Sequence, residues 1–241
     1  MHGGRILATT VLILLLLAAL NPPPVDATGP WPFCGSSGNY TTGSAYEANL
    51  NLLTDTLATN TSTSPTLFAT ATIGAGTNQT VYALALCQGD LEPSVCFVCV
   101  DAAIKDGRLA CPLDMDMAIY LGSCQVRFSN ENFLGRTANN SQQHVFFSDA
   151  PNLSSSTAGR FSRIVTDLLN ATADYAVAAS ETRFATGEME VDPDYSDGQF
   201  SNVFSTAQCT PDLTRPQCRA CLVAAMAEMP RLVFPTNSPG A

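Results

Sequence analysis

Nine cysteines constrain this chain more than any other feature, because six of them recur at one fixed spacing. Cys87-x8-Cys96-x2-Cys99 returns 122 residues later as Cys209-x8-Cys218-x2-Cys221. The flanks repeat too: Val81-Tyr82 becomes Val203-Phe204, Asp90-Leu91 becomes Asp212-Leu213, and Ala102-Ala103 becomes Ala224-Ala225. Three cysteines in register at one offset predict two copies of a disulfide-stapled unit. The copies are unequal. The first holds Cys34, Cys87, Cys96, Cys99, Cys111 and Cys124, and the second only three. Val233 stands where Cys111 would recur, and the counterpart of Cys124 falls past Ala241, so the second copy is expected to be incomplete.

The start of the chain predicts secretion. Arg5 precedes an apolar run over residues 6–20, Asn21-Pro22-Pro23-Pro24 breaks it, and Val25-Asp26-Ala27 ends in small residues. That pattern reads as a signal peptide over residues 1–27, and the apolar run is too short to span a bilayer. No later stretch of the sequence reaches spanning length. Secretion makes the cysteines disulfide candidates, since oxidised pairs persist outside the cytosol. Asn39, Asn60, Asn78, Asn139, Asn152 and Asn170 each begin an Asn-x-Ser/Thr sequon, which predicts glycosylated surface sites.

Cleavage after Ala27 would remove Arg5 and Asp26, leaving 10 basic and 20 acidic residues. Lys105 is the single lysine. Binding phosphates takes clustered Lys and Arg, so nucleic acid and anionic membranes are excluded as expected partners.

Within residues 28–130, Ser44-Ala45-Tyr46-Glu47 has capping-box spacing, and Tyr46, Leu50, Leu53 and Leu57 follow on one helical face. Residues 66–73 and 81–87 are strand-like runs separated by Gly74-Ala75-Gly76. Cys96, Cys99, Val100 and Ala103 mark a second helix, and residues 118–128 read as a third strand. Residues 131–156 read as a linker in which Val145-Phe146-Phe147 is a candidate short strand. Residues 157–241 repeat the order. Phe161, Ile164, Val165, Leu168 and Tyr175 make a helical face, Phe184-Ala185-Thr186 echoes Phe68-Ala69-Thr70, and a strand (200–209) precedes a helix (216–229). The third strand there is expected to be missing, or replaced by residues 231–235. The fold class is α+β: two tandem small disulfide-stapled domains, each an antiparallel sheet with two helices packed on it.

No catalytic, metal or cofactor site is expected. The Cys96-x2-Cys99 and Cys218-x2-Cys221 pairs lie too far apart in sequence for a zinc ribbon. His144, the one histidine after the leader, has no triad motif around the nearby Ser141 or Ser148. Asp192, Asp194 and Asp197, followed by Gly198, lack EF-hand spacing and read as an acidic turn.

The C-x8-C-x2-C mark, Cys209-Thr210-Pro211-Asp212-Leu213 ahead of Cys218 and Cys221, and Val126-Arg127-Phe128-Ser129-Asn130 after Cys124 resemble the plant ginkbilobin-homologous domain, also called the salt-stress-response or antifungal domain. The resemblance covers nearly all of residues 31–233. Six cysteines alone allow 15 connectivities. The resemblance implies Cys34 with Cys111, Cys87 with Cys96 and Cys99 with Cys124. Cys209 with Cys218 repeats the second of these and leaves Cys221 unpaired, free to link two chains in a disulfide-bonded dimer or left in a loosely packed second copy. In the family the domain occurs in tandem, in secreted cysteine-rich repeat proteins, plasmodesmal membrane proteins and ectodomains of cysteine-rich receptor-like kinases. What the resemblance implies here is a secreted, non-enzymatic binding protein of the plant extracellular space (the apoplast), in stress or defence signalling, with an extracellular protein or glycan as ligand. Its alternatives are an apoplastic carbohydrate-binding antifungal protein, a truncated receptor-kinase ectodomain, and a thiol-redox enzyme using Cys221. A ginkgo-seed member of the family binds mannose through Asn, Arg and Glu side chains. The matching positions here are Gly35, Ala118 and Ser129, which cannot make the same hydrogen bonds. Arg127, on the strand face of Ser129, is the one charged neighbour left to serve a different site.

Overall fold

A computed structural model describes residues 29–136, 153–179 and 181–233, without side chains for 155, 156 and 228–233. The leader, His144, residues 145–147 and the sequons at Asn139 and Asn152 lie outside the described residues.

The first copy is a five-stranded antiparallel sheet under two helices. Its elements are β1 (Trp31–Cys34), α1 (Ala45–Thr63), β2 (Phe68–Ile73), β3 (Val81–Cys87), α2 (Pro93–Ala110), β4 (Met117–Tyr120) and β5 (Cys124–Ser129), and the sheet order is β1-β4-β5-β3-β2. Ser44 caps α1 by accepting from the Glu47 amide at 3.2 Å, while Glu47 reaches back to accept from the Gly43 amide at 2.6 Å. One orphan donor of the first turn, the Glu47 amide, is thus satisfied, together with the Gly43 amide just ahead of the cap. Tyr46, Leu50, Leu53 and Leu57 are fully buried against the sheet. Alternation selects the sheet face: Val81, Ala83, Ala85 and Cys87 of β3 point to the helices, where each is 0% exposed. Pro93 opens α2, whose lost amide is an orphan there anyway.

Residues 118–128 are not one strand. They fold into a hairpin, β4 and β5, with Ala118 opposite Arg127 and Ile119 opposite Val126. The sheet also gains β1, which pairs with β4 at its edge, where Pro32 costs little in hydrogen bonding.

The second copy contains α3 (Ser155–Ala178), β6 (Phe184–Glu190), a 3-10 turn (Pro193–Tyr195), β7 (Asn202–Gln208) and α4 (Arg215–Val233). Helix α3 starts inside the segment read as linker. Its buried face runs through Phe161, Leu168, Thr172, Ala173 and Ala176, and Tyr175 sits off that face, 70% exposed. Gly187 lets α3 approach β6 closely, since a Cβ there would collide with the Thr172 hydroxyl. That hydroxyl shares a 2.6 Å hydrogen bond with Ser205 of β7. Among the described residues this sheet has two strands, β6 and β7. Residues 231–233 continue helix α4 rather than replacing a third strand.

Candidate functional site

The framework is covalent. Cys34 is bonded to Cys111, Cys87 to Cys96, Cys99 to Cys124, and Cys209 to Cys218. The first tethers edge strand β1 to the end of α2. The second and third fasten α2 to β3 and β5, and the fourth repeats the β3 fastening between β7 and α4. Cys34, Cys111 and Asp114 come together within 4.8 Å, but both sulfurs are already spent in a disulfide. Cys221 is the free cysteine, and it is exposed. Crowding around its sulfur still pushes the thiol above its ordinary value of 9.0. It is mostly protonated at neutral pH, a poor state for a redox nucleophile.

Gly35, Ala118 and Ser129 lie near one another at the β1–β4–β5 end of the sheet, but a different group fills the space. The Gly35 amide donates to the Asp116 backbone carbonyl at 2.7 Å. A Cβ on Gly35 would stand 2.5 Å from Asp116 Cβ and 2.6 Å from its Oδ2. Arg127, directly across from Ala118, pairs its Nε with Asp116 Oδ1 at 3.6 Å and lays its guanidinium 4.2 Å over the Phe133 ring. Ser129 is buried, with its hydroxyl accepting from the Glu131 amide. Burial raises the Asp116 pKa above 3.8, and the Arg127 charge opposes without cancelling that rise. Arg127 is thus committed to an internal ion pair and a ring contact. Nothing in the residue pattern points to Asp116, because its role depends on the bare Cα of Gly35 across the β1–β4 pairing.

Among the described sequons, Asn39, Asn60 and Asn78 are exposed, whereas Asn170 is half-buried on α3 with its amide donating to the Thr166 carbonyl at 2.9 Å.

The acidic turn has a function that sequence reading missed. Asp197 adopts a left-handed backbone (φ 50°) and swings its carboxylate to the start of α3. There it accepts from the Ser154 amide and the Thr157 hydroxyl, each at 2.7 Å. These donors lower its pKa. At the other end of α3, Arg183 donates to the carbonyls of Val177 and Ala179 at 3.0 Å, placing a cation on the negative helix terminus.

The two copies touch through polar contacts. The Gly135 amide donates to Asp212 Oδ2 at 2.6 Å, Gln217 Nε2 donates to the Gly135 carbonyl at 3.3 Å, and Gln208 Nε2 donates to the Cys87 carbonyl at 3.0 Å. Phe184 packs against Gly89. Cys221 faces the same region, close enough that its charge would raise the Tyr120 pKa further than burial already does.

Comparison with known proteins agrees with this architecture. The sequence profile of the salt stress response/antifungal family matches residues 33–131 and again 147–239. The chain is 41% identical over 203 residues to the rice (Oryza sativa subsp. japonica) cysteine-rich receptor-like protein kinase 10, covering 84% of this chain and 31% of that protein. It therefore spans about a third of the length of that kinase. It is 32% identical over 199 residues to the antimicrobial ginkbilobin-2-like protein of Castanea crenata, covering 82% and 76% of the two chains. In fold it resembles the tandem DUF26 ectodomain of an Arabidopsis thaliana cysteine-rich receptor-like protein, with a TM-score of 0.67 at 23% identity over 86% of this chain and 90% of that one. No helix among the described residues is long and apolar enough to cross a membrane. Two disulfide-stapled copies, two profile matches and a shared tandem fold make this chain a member of the salt stress response/antifungal family.

Proposed function

We propose that this chain is a secreted, non-enzymatic binding protein of the plant extracellular space, acting in stress or defence signalling. The supporting observation is the tandem ectodomain fold, which extends over both copies. Three disulfides cross the first copy, and a preformed oxidised scaffold of this kind suits recognition. Tagged protein expressed in leaves should accumulate in apoplastic wash fluid, begin after Ala27, and bind intact plant cells saturably. Retention inside the cell, or binding that unlabelled protein fails to displace, would sink this reading.

A second reading, an antifungal carbohydrate-binding protein, draws on the similarity to the Castanea crenata antimicrobial protein. The geometry at Gly35 weighs against the family's mannose site, because Asp116 fills the space beside Gly35 and forms an ion pair with Arg127. Glycan-array binding together with inhibition of hyphal growth would favour this second reading.

A further inference from the structure

Strand β2 is an outer strand of the first sheet, and among the described residues no strand pairs with its far edge. The Cys87 amide donates to the Leu67 carbonyl at 2.9 Å, which fixes the hydrogen-bonding phase. Ala69, Ala71 and Ile73 bond to β3, and the amides and carbonyls of Phe68, Thr70 and Thr72 point outward. The strand reads Phe-Ala-Thr-Ala-Thr-Ile, with no charge, proline or glycine. Natural sheets avoid leaving such an edge bare, because it templates pairing with another chain. The second copy shows the usual remedy. There the Cys209 amide donates to the Arg183 carbonyl at 3.0 Å, so Phe184, Thr186, Glu188 and Glu190 face outward from β6. Phe68 and Thr70 recur as Phe184 and Thr186, but a glutamate replaces Thr72 and another follows it. Both glutamates are exposed, and edge charges oppose pairing.

The uncharged edge of β2 is instead bracketed by two sequons. On α1 the flank toward α2 is buried at Ala58 and Ser62. The opposite flank holds Asn49, whose Nδ2 donates to the Gln79 carbonyl in the β2–β3 turn at 2.9 Å. Asn60 follows Asn49 by eleven residues, about three turns, so it lies on that same flank, near the start of β2. It is exposed there, and Asn78 is exposed in the turn past the end of β2. Helix α3 lacks this site. Tyr46, Leu53, Leu57 and Ala58 of α1 fall on Phe161, Leu168, Thr172 and Ala173 of α3, which puts Tyr175 in the place of Asn60. Asn170 lies five residues before Tyr175 and so points about 140° away around the helix. One copy has edge charges and no sugar site on this flank, and the other has sugar sites and no edge charge.

We propose that N-linked oligosaccharides on Asn60 and Asn78 shield the β2 edge, in the role that Glu188 and Glu190 play on β6, and keep two copies of the chain from pairing through β2. The donor is a lipid-pyrophosphate-linked oligosaccharide of the secretory pathway. The asparagine Nδ2 attacks its anomeric carbon, a C–N bond forms, and the C–O bond to the pyrophosphate breaks. The lipid pyrophosphate leaves with the electron pair, and Nδ2 gives up a proton. Transfer to the unfolded chain precedes closure of α1, so burial of Ser62 does not prevent it, and the fold requires only that Asn60 face solvent. Without sugar, two β2 strands fit an antiparallel two-fold pairing with Thr70 opposite Thr70 and Phe68 opposite Thr72. No charge opposes it, and Ala69 and Ala71 are too small to clash. The pairing brings Gly74 of one chain level with Thr66 of the other, so bulky sugars on the adjoining Asn78 turn and on the α1 flank obstruct it. The proposal rests on the secretory reading, which supplies the sugar donor.

The test uses the full chain expressed in plant cells, with Cys221→Ser throughout so that intermolecular disulfides play no part. Glycopeptide mass spectrometry should find oligosaccharide on Asn60 and Asn78. Trimming the folded protein with an endoglycosidase should convert a monomer into a dimer or larger species by light scattering, and the Asn60→Gln, Asn78→Gln pair should do so without the enzyme. Amides of Phe68, Thr70 and Thr72 should exchange freely in the glycosylated monomer and at least about tenfold more slowly in the associated form, while those of Ala69 and Ala71 stay slow in both. Adding Thr70→Lys to the trimmed protein sets two lysines opposite each other and should restore the monomer. A glycosylated Asn39 beside a bare Asn60 or Asn78, a trimmed protein that stays monomeric, or association that Thr70→Lys fails to reverse would each overturn the proposal. Slow exchange at Phe68, Thr70 and Thr72 in the glycosylated monomer would also overturn it, by showing that another part of this chain covers the edge. All of these failures leave the secretory reading standing. A chain kept inside the cell with Asn39, Asn60 and Asn78 all bare would remove that reading and the proposal together.

Discussion

Asp116 takes the space that any side chain at position 35 would need. Gly35→Asn should therefore destabilise the first copy by roughly 1–3 kcal/mol, the usual cost of overpacking, read as a lowered denaturation midpoint. Adding Asp116→Ala should recover part of the loss, and an unchanged midpoint in the single variant would contradict the packing account. Mannose should not bind the unaltered protein at this position, and millimolar or tighter binding in a calorimetric titration would overturn that expectation. The two structurally engaged aspartates respond to acid in opposite senses. Asp197 has a folded pKa below its ordinary 3.8, so its contribution is complete above that value and is lost as pH falls through the folded pKa. Asp116 has a folded pKa above 3.8, so the cost of its buried charge grows as pH rises through the folded value. Asp197→Asn should flatten the acid limb of the stability–pH curve below about pH 4 without changing the limb near neutrality. An acid limb identical to that of the parent protein would show that the carboxylate does not cap α3.

At the scale of elements, helices were easier to read than strands. Ser44, Glu47 and the Tyr46–Leu50–Leu53–Leu57 stripe announce α1, because capping and a 3.6-residue period are both local signals. The hairpin over residues 117–129 was hidden, because Leu121, Gly122 and Ser123 interrupt an otherwise continuous apolar run too briefly to break its periodicity. Strand β1 gave no signal, since Pro32 argues against a strand and only pairing with β4 makes it one. Tyr175 lies on the predicted face of α3 by spacing alone, yet contact with β6 and β7 turns that face toward Thr172 and Ala176. The α2–β5 clamp carries an element-scale prediction. Replacing Cys99 and Cys124 together by Ser gives the first copy the missing bond of the second. Stability should fall by about 2–4 kcal/mol in denaturant unfolding. Exchange protection at Val100 and Ala103 should drop with it. A loss well below this range would mean that packing of β5, rather than the bond, holds the helix down.

For the whole molecule the decisive contrast is between two cores of unequal completeness. The first copy buries one continuous apolar cluster from Tyr40 to Phe128, crossed by three disulfides. Among the described residues the second buries Phe161, Leu168, Ala176 and Ala207 and gathers a small cluster at Cys209, Leu213 and Cys218, holds one disulfide, and leaves Phe204 and Tyr175 largely exposed. Burial of apolar surface is the main favourable term in folding, and each bridge adds to it chiefly by restricting the unfolded chain. Among the described residues the contacts between the copies are hydrogen bonds around Gly135, Gln208 and Gln217 and the packing of Phe184 against Gly89, few beside the first copy's own core. It follows that the first copy should fold alone. A fragment of residues 28–135 retains all six of its cysteines, both helices and all five strands. When oxidised it should resist trypsin, show no free thiol, and unfold at nearly the same denaturant concentration as the first transition-resistant unit of the full chain. In the full chain, limited proteolysis should cut first within residues 137–241 and release a resistant piece ending near Arg136. Early cleavage within residues 45–129, or a free thiol in the oxidised fragment, would show that the second copy is needed to hold the first together.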